Sequence, residues 1–106
     1  HYSFHNERKM YLVMDYHPGG DLYALMQRQG HFSEDMIKFY IAEIASAIHA
    51  LHEMNYIHRD IKPENILIDY VGHIKLTDFG SAVKLNDRGY LIKDALSGTA
   101  DYVAPE

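Results

Sequence analysis

Residues 58 to 80 read His58-Arg59-Asp60-Ile61-Lys62-Pro63-Glu64-Asn65-Ile66-Leu67-Ile68-Asp69-Tyr70-Val71-Gly72-His73-Ile74-Lys75-Leu76-Thr77-Asp78-Phe79-Gly80. Within them, Ile66-Leu67-Ile68 and His73-Ile74-Lys75-Leu76 have the length and apolar content of two short strands, joined by a turn that contains Gly72. Asp60 stands just ahead of the first strand and Asp78 just after the second. Upstream, Met36, Tyr40, Ile44, Ile48 and Leu51 recur every three or four residues, the helical period. Ser33 is the N-cap candidate, Glu34 and Asp35 favour the positive end of the helix dipole, and Asn55 is the stop. A helix of roughly 20 residues suits the middle of a helical lobe, and its apolar stripe reads as core. Downstream of Gly80 no periodicity is visible. The remaining residues read as one long loop, of the kind that is functional or mobile in a compact domain.

Farther out, Tyr2 to His5 and Met10 to Tyr16 read as two strands connected by the polar Asn6-Glu7-Arg8-Lys9. Leu12-Val13-Met14 is continuously apolar, as in a strand covered on both faces. His17-Pro18-Gly19-Gly20 is a breaker cluster. Asp21 follows as the N-cap of a short helix through Arg28, which Gly30 ends.

The bulk properties exclude several classes. A chain of 106 residues holds one small domain or part of a larger one. The formal charge of -5 argues against a nucleic-acid surface. No apolar run reaches the roughly 18 residues of a membrane span. With no cysteines, disulfides and cysteine-bound zinc are ruled out. His49 and His52 lie three apart in the helical stretch, but neither a third ligand nor an HExxH pattern accompanies them, so ordinary helix residues are the better reading.

The two acids carry the chemistry. Phosphoryl transfer needs positioning, metal and charge stabilisation rather than covalent help. One carboxylate orients the attacking hydroxyl and accepts its proton. A second, with a neutral oxygen ligand, holds magnesium against nucleotide phosphates. A lysine beside the first stabilises the moving charge. His58-Arg59-Asp60 with Asn65 after four intervening residues, then Asp78-Phe79-Gly80, then Ala104-Pro105-Glu106, resemble the protein kinase signature in order and context.

The resemblance implies a bilobal α+β kinase fold, present in part: small-lobe strands and the start of the hinge in residues 1–16, and large-lobe helices, catalytic loop and activation segment in residues 17–106. It implies that Asp60 is the base, that Asn65 and Asp78 bind Mg2+, and that His58 and Phe79 pack the two loops together. Lys62, two residues after Asp60, matches serine/threonine rather than tyrosine kinases. Thr99 matches the threonine that bridges toward the catalytic Asp and Lys. Met14 corresponds to the gatekeeper, Asp15 and His17 to backbone contacts with the adenine of ATP, and Leu67 to the pocket floor. Asp21 and Glu64 correspond to acids that hold ribose or a basic substrate residue.

The whole chain is similar to the AGC class of serine/threonine protein kinases. Pro18-Gly19-Gly20-Asp21-Leu22, Gly72-His73-Ile74-Lys75-Leu76, Asp78-Phe79-Gly80-Ser81-Ala82 and Lys84-Leu85-Asn86-Asp87 resemble the Rho-effector group, of citron and myotonic-dystrophy-kinase-related type. That implies a cytoplasmic enzyme of cytoskeletal or cytokinesis signalling, acting on protein substrates with basic residues upstream of the acceptor. Any Rho-family GTPase is expected to bind outside this segment.

Three features depart from the family pattern. No glycine-rich phosphate loop, strand lysine or partner glutamate is present, and these are expected before His1, as further helices are after Glu106. Ala100 stands where close relatives have proline. Ala95 stands three residues before Gly98, where many related kinases carry a phosphorylated threonine, leaving Asp94 or a phosphate on Ser97 as partner for Arg59. The alternative to an enzyme is a truncated or pseudokinase-type fragment that acts as a binding module. Intact Asp60, Asn65 and Asp78 weigh against it.

Overall fold

A computed structural model of the chain describes residues 1–86 and 97–105. Aromatic and aliphatic residues on both sides of a polar turn produce an antiparallel hairpin, β1 (Tyr2–His5) and β2 (Met10–Val13), with Tyr2 opposite Val13 and Phe4 opposite Tyr11. The Phe4 and Tyr11 rings stack across the pair at 4.9 Å. Asn6 makes the turn, its Oδ1 accepting from the amides of Arg8 and Lys9 at 2.9 Å each.

The second strand is shorter than the sequence suggested, ending at Val13 rather than Tyr16. Nor is it covered on both faces, since Leu12 is 64 % and Met14 73 % exposed. The reason is that β1 and β2 pair only with each other among the described residues, so neither face is packed.

Helix α1 (Leu22–Gln29) starts where Asp21 Oδ1 accepts from the amide of Ala24 at 2.7 Å, and ends at Gly30, whose φ of 70° few other residues adopt. Helix α2 (Glu34–Glu53) is capped by Ser33 Oγ and braced by a Glu34–Lys38 pair one turn apart. Its predicted stripe faces inward, with Leu51 buried and Met36, Tyr40, Ile44 and Ile48 half-buried. The helix stops at Met54, and Asn55 follows in the left-handed region.

Beyond it, β3 (Tyr56–Ile57), β4 (Ile66–Ile68), β5 (Ile74–Leu76) and β6 (Val83–Lys84) form two small antiparallel pairs, β4 with β5 and β3 with β6. Ile66 faces Leu76 and Ile68 faces Ile74. Gly72 turns the hairpin with φ 98°, and Asp69 Oδ1 accepts from the amides of Val71 and His73.

The stretch after Gly80 is not one continuous loop. It holds β6, preceded by a 3-10 turn at Phe79–Ser81 and followed by another at Ala100–Tyr102. Two-residue strands are too short to show a period in sequence, and β6 exists because Tyr56 and Ile57 lie beside it. The core joins Leu22, Ile66, Ile68 and Ile74, with Leu25, Phe32, Tyr40, Ile44, Ala47 and Leu76 packed around them. This core clamps the β4–β5 hairpin between α1 and α2 and thereby fixes the loops at both of its ends.

Candidate active site

The loop between β3 and β4 is anchored from below by His58, which is 3 % exposed. Its Nε2 donates to the Thr77 carbonyl at 2.9 Å, and its Nδ1 accepts from the Asp60 amide at 3.3 Å. A carbonyl only accepts, so Nε2 is the donor in that bond, while Nδ1 faces the Asp60 amide as acceptor. The same ring packs on Phe79 at 5.1 Å, tying this loop to the segment after β5. Arg59 takes the left-handed region at φ 69°, and its Nε donates to the Ser81 carbonyl at 2.7 Å. Asp78 is also left-handed, at φ 60°. For residues other than glycine each such conformation costs about 1–3 kcal/mol and persists where the surroundings impose it. Both strained positions adjoin the candidate chemistry.

Asp60 is the centre of the hydrogen-bond network. Its Oδ1 accepts from Thr99 Oγ1 at 2.7 Å, and its Oδ2 meets Lys62 Nζ at 3.0 Å and Asn65 Nδ2 at 3.1 Å. Lys62 Nζ also donates to Thr99 Oγ1 at 2.7 Å, so the threonine hydroxyl is oriented from both sides. These contacts hold the Asp60 carboxyl down at about 2, through the Thr99 hydrogen bond first, then Lys62, against partial desolvation. The same ion pair raises the Lys62 ammonium. Asp60 is therefore an anion and Lys62 a cation throughout the physiological range. A carboxylate offers about four lone-pair positions, and three are taken by Thr99, Lys62 and Asn65. Among the described residues, one is left for a further donor.

Asn65 is 6 % exposed. Its Nδ2 donates to both the Asp60 carbonyl, at 2.9 Å, and the Asp60 carboxylate. That uses both amide hydrogens and leaves Oδ1 as an acceptor without a hydrogen bond from the described residues. Asp78 is exposed, with Oδ1 accepting from the Gly80 amide at 3.3 Å. A neutral amide oxygen and a carboxylate are hard oxygen donors, the set that suits Mg2+ shared with phosphates. No cluster of three or more His, Asp or Glu forms a metal site by itself among the described residues. A cleft of about 320 Å³ opens beside this network, lined by Arg59, Asp60, Ser97, Gly98, Thr99 and Tyr102 among others.

The order His-Arg-Asp, Asn, Asp-Phe-Gly and Thr is thus also a spatial arrangement, and the profile of the protein kinase domain family matches residues 1–106. The chain belongs to the protein kinase domain family. Among curated relatives, citron rho-interacting kinase of Rattus norvegicus is 55 % identical over 106 residues, covering 99 % of this chain and 5 % of its own length. Serine/threonine-protein kinase MRCK beta of Homo sapiens is 50 % identical over 107 residues, covering 100 % of this chain and 6 % of the relative. For MRCK gamma of Mus musculus the figures are 49 %, 107 residues, 100 % and 7 %. The chain spans about one twentieth of the length of these kinases. Its architecture is part of the bilobal α+β kinase fold.

The structure brings Asp60, Lys62, Asn65 and Thr99 into one hydrogen-bonded group. The other anticipated residues are distributed over several elements. Leu67 lies in β4 and is bridged to Asp21, which heads α1. The His17 carbonyl accepts from the Gly20 amide at 3.2 Å. Glu64 is exposed in a 3-10 turn, Pro63–Asn65. Asp15 is exposed and pairs with His1 at 2.7 Å. Met14 lines a shallow hollow on the hairpin with His1, Tyr2, Ser3, Leu12 and Val13, a different cleft from the one beside Asp60.

Three contributors were not singled out in the sequence. Ser81 and Thr77 act through backbone carbonyls, which no side-chain pattern reports. Gly98, at φ 131°, lies where a Cβ would stand 3.0 Å from the Arg59 carbonyl. Its signal was a glycine adjoining Thr99. Asp94 and Ala95, and Glu106 of the last motif, lie outside the described residues.

Proposed function

We propose that this chain is the catalytic segment of a serine/threonine protein kinase, transferring the γ-phosphoryl group of ATP to Ser or Thr hydroxyls of protein substrates. The observation that carries the reading is the Asp60 carboxylate, held by Thr99, Lys62 and Asn65 with one acceptor position left over. In this reading a substrate hydroxyl donates to that position. Its oxygen forms a bond to the γ-phosphorus, the bond from phosphorus to the β–γ bridging oxygen breaks, and the electron pair leaves on ADP. The hydroxyl proton passes to Asp60. Because that carboxylate is a weak base, orientation precedes proton transfer, which comes late as the phosphorus–oxygen bond forms. Lys62, fixed through Thr99, supplies positive charge to the moving phosphoryl group.

Asn65 Oδ1 and the Asp78 carboxylate are the residues that would hold Mg2+, which when bound neutralises phosphate charge. Residues 1–16 make up the small-lobe strands and the start of the hinge, and residues 17–106 the large-lobe part. Met14, Asp15, His17, Asp21, Glu64 and Leu67 are assigned to nucleotide or substrate contact on the resemblance. One relative is named a rho-interacting kinase and others serine/threonine-protein kinases, which supports protein substrates and a Rho-linked parent; a cytoplasmic place and a cytoskeletal role are assigned on the resemblance. No helix among the described residues is long and apolar enough to cross a membrane.

The test is transfer of labelled phosphate from ATP by the full-length protein to matched peptides with Ser, Thr or Tyr as acceptor. Labelling of the Ser and Thr peptides alone is expected. Labelling of the Tyr peptide, or of none, overturns the reading.

A further inference from the structure

Gly19 and Gly20 sit in the breaker cluster as two turn residues, but the structure gives them different work. Gly20 has φ 72° and nothing within 4 Å of a would-be Cβ, so its requirement is conformational. Gly19 has no positive φ, and its requirement is space. A Cβ there would lie 2.5 Å from the Ile68 carbonyl oxygen, 2.7 Å from Ile68 Cβ and 2.8 Å from Cγ2. The contact exists because the segment is bonded to β4: the Gly19 amide donates to the Ile68 carbonyl at 3.1 Å, and the Ile68 amide donates to the Gly20 carbonyl at 2.8 Å. Next along, Asp21 bridges to Leu67.

Ile68 cannot retreat, being 5 % exposed in the core with Leu22, Ile66 and Ile74. Non-bonded heavy atoms prefer about 3.5 Å, so any side chain at 19 pushes the segment off β4 by about 1 Å. That movement separates His17 on the one side from Leu67 on the other. Asp21 would not simply follow, because its carboxylate caps α1 and the next residue, Leu22, is buried.

We infer that Gly19 is a positioning residue for the nucleotide: its missing side chain sets the spacing between the segment that carries His17 and the Leu67 strand, and so the width of the adenosine slot. The inference rests on the kinase reading above. It concerns nucleotide affinity and leaves the Asp60 network untouched: Asp60, Lys62 and Asn65 precede β4, whereas Gly19 packs on Ile68 at its end.

The test is Gly19→Ala in the full-length protein, with ADP binding measured by titration and steady-state kinetics run against ATP and a peptide acceptor. The expected result is an ADP Kd and an ATP KM raised about tenfold, with kcat and the peptide KM within about twofold of wild type; a tenfold change corresponds to about 1.4 kcal/mol. If wild type binds ADP and phosphorylates peptide, yet Gly19→Ala binds ADP within about twofold of wild type or loses kcat alone, the inference falls and the kinase reading stands. If wild type neither binds ADP nor transfers phosphate, the kinase reading falls and takes the inference with it. Should Gly19→Ala not fold, amide hydrogen exchange on wild type decides. Slow exchange at Gly19 and Ile68 without nucleotide, slowing further with ADP, is expected. Fast exchange without nucleotide, or no response to ADP, overturns the inference.

Discussion

The Thr99 hydroxyl donates to Asp60 Oδ1 at 2.7 Å across 39 positions of sequence. It is the contact through which the segment after residue 96 reports its position to the loop between β3 and β4. Lys62 Nζ closes the triangle, bonding Thr99 Oγ1 at 2.7 Å and Asp60 Oδ2 at 3.0 Å. A charge, a counter-charge and a hydroxyl between them fix one another, so the carboxylate is held in one orientation.

Asp60→Asn in the full-length protein is expected to lower phosphotransfer by about 10²- to 10⁴-fold, while ADP affinity stays close to wild type. The carboxamide keeps the shape but lacks the charge and one acceptor. Single-turnover kinetics beside a nucleotide titration check this. Activity within about tenfold of wild type, or about 1.4 kcal/mol, would remove Asp60 from the base role.

Thr99→Val is expected to raise the Asp60 carboxyl from about 2 towards its ordinary value of 3.8, because the Thr99 hydrogen bond is the largest cause of the depression. The sign for stability follows. A carboxyl depressed on folding contributes stabilisation that is complete above 3.8 and is lost as pH falls through about 2. In the valine variant the stabilisation is smaller and its loss is complete at a higher pH. Side-chain carboxyl carbon shifts followed from pH 6 to pH 2 would show it, and an unmoved Asp60 titration would mean that Lys62 and Asn65 set the value without Thr99.

Asp21→Asn combined with Glu64→Gln is expected to flatten a preference for basic residues just before the acceptor Ser or Thr. Asparagine is as good an N-cap as aspartate, so α1 keeps its start and the change isolates charge. A peptide array compares the variant with wild type. An unchanged preference returns both acids to the solvated surface.

Activity without activation-loop phosphate is expected, since Ala95 cannot be phosphorylated. The Arg59 Nε bond to the Ser81 carbonyl ties the catalytic loop to this segment through uncharged backbone. Phosphatase-treated full-length protein, shown by mass spectrometry to carry no phosphate on residues 78–106, should keep its initial rate. Collapse of that rate, restored only with phosphate on Ser97, would refute the expectation.

The 106-residue segment by itself is expected to lack a cooperative thermal transition. Its radius of gyration is 16.0 Å, against about 13 Å for a compact domain of 100 residues. No side chain among the described residues is less than 2 % exposed, while Leu12, Met14 and Ile41 are each more than half exposed. A sharp two-state melt of the purified segment would contradict this.

Much of the fold was legible. The α2 stripe, its Ser33 cap, the Asp21 cap and the β4–β5 hairpin followed from periodicity and turn chemistry, which are local. The β3–β6 pair was not, because each strand is two residues long and is defined by a neighbour far along the chain, Tyr56 opposite Lys84 and Ile57 opposite Val83. The covered strand expected at Leu12-Val13-Met14 failed for a related reason: a continuous apolar run states a preference for burial, and only packing elements can supply it.

The sequence by itself determined which groups the site contains. Acid, lysine, amide and threonine at set spacings around two short strands are a chemical inventory, and side-chain chemistry travels with the residue. Only the tertiary structure decided how they are used: which oxygen of Asp60 each partner takes, that both hydrogens of Asn65 Nδ2 are spent on Asp60, and that Gly19 is glycine for space while Gly20 is glycine for φ. Those facts depend on distances between residues far apart in the chain, set by a buried core of Leu22, Ile66, Ile68 and Ile74. Local pattern carries no information about such distances, because they are fixed by packing and not by any residue alone.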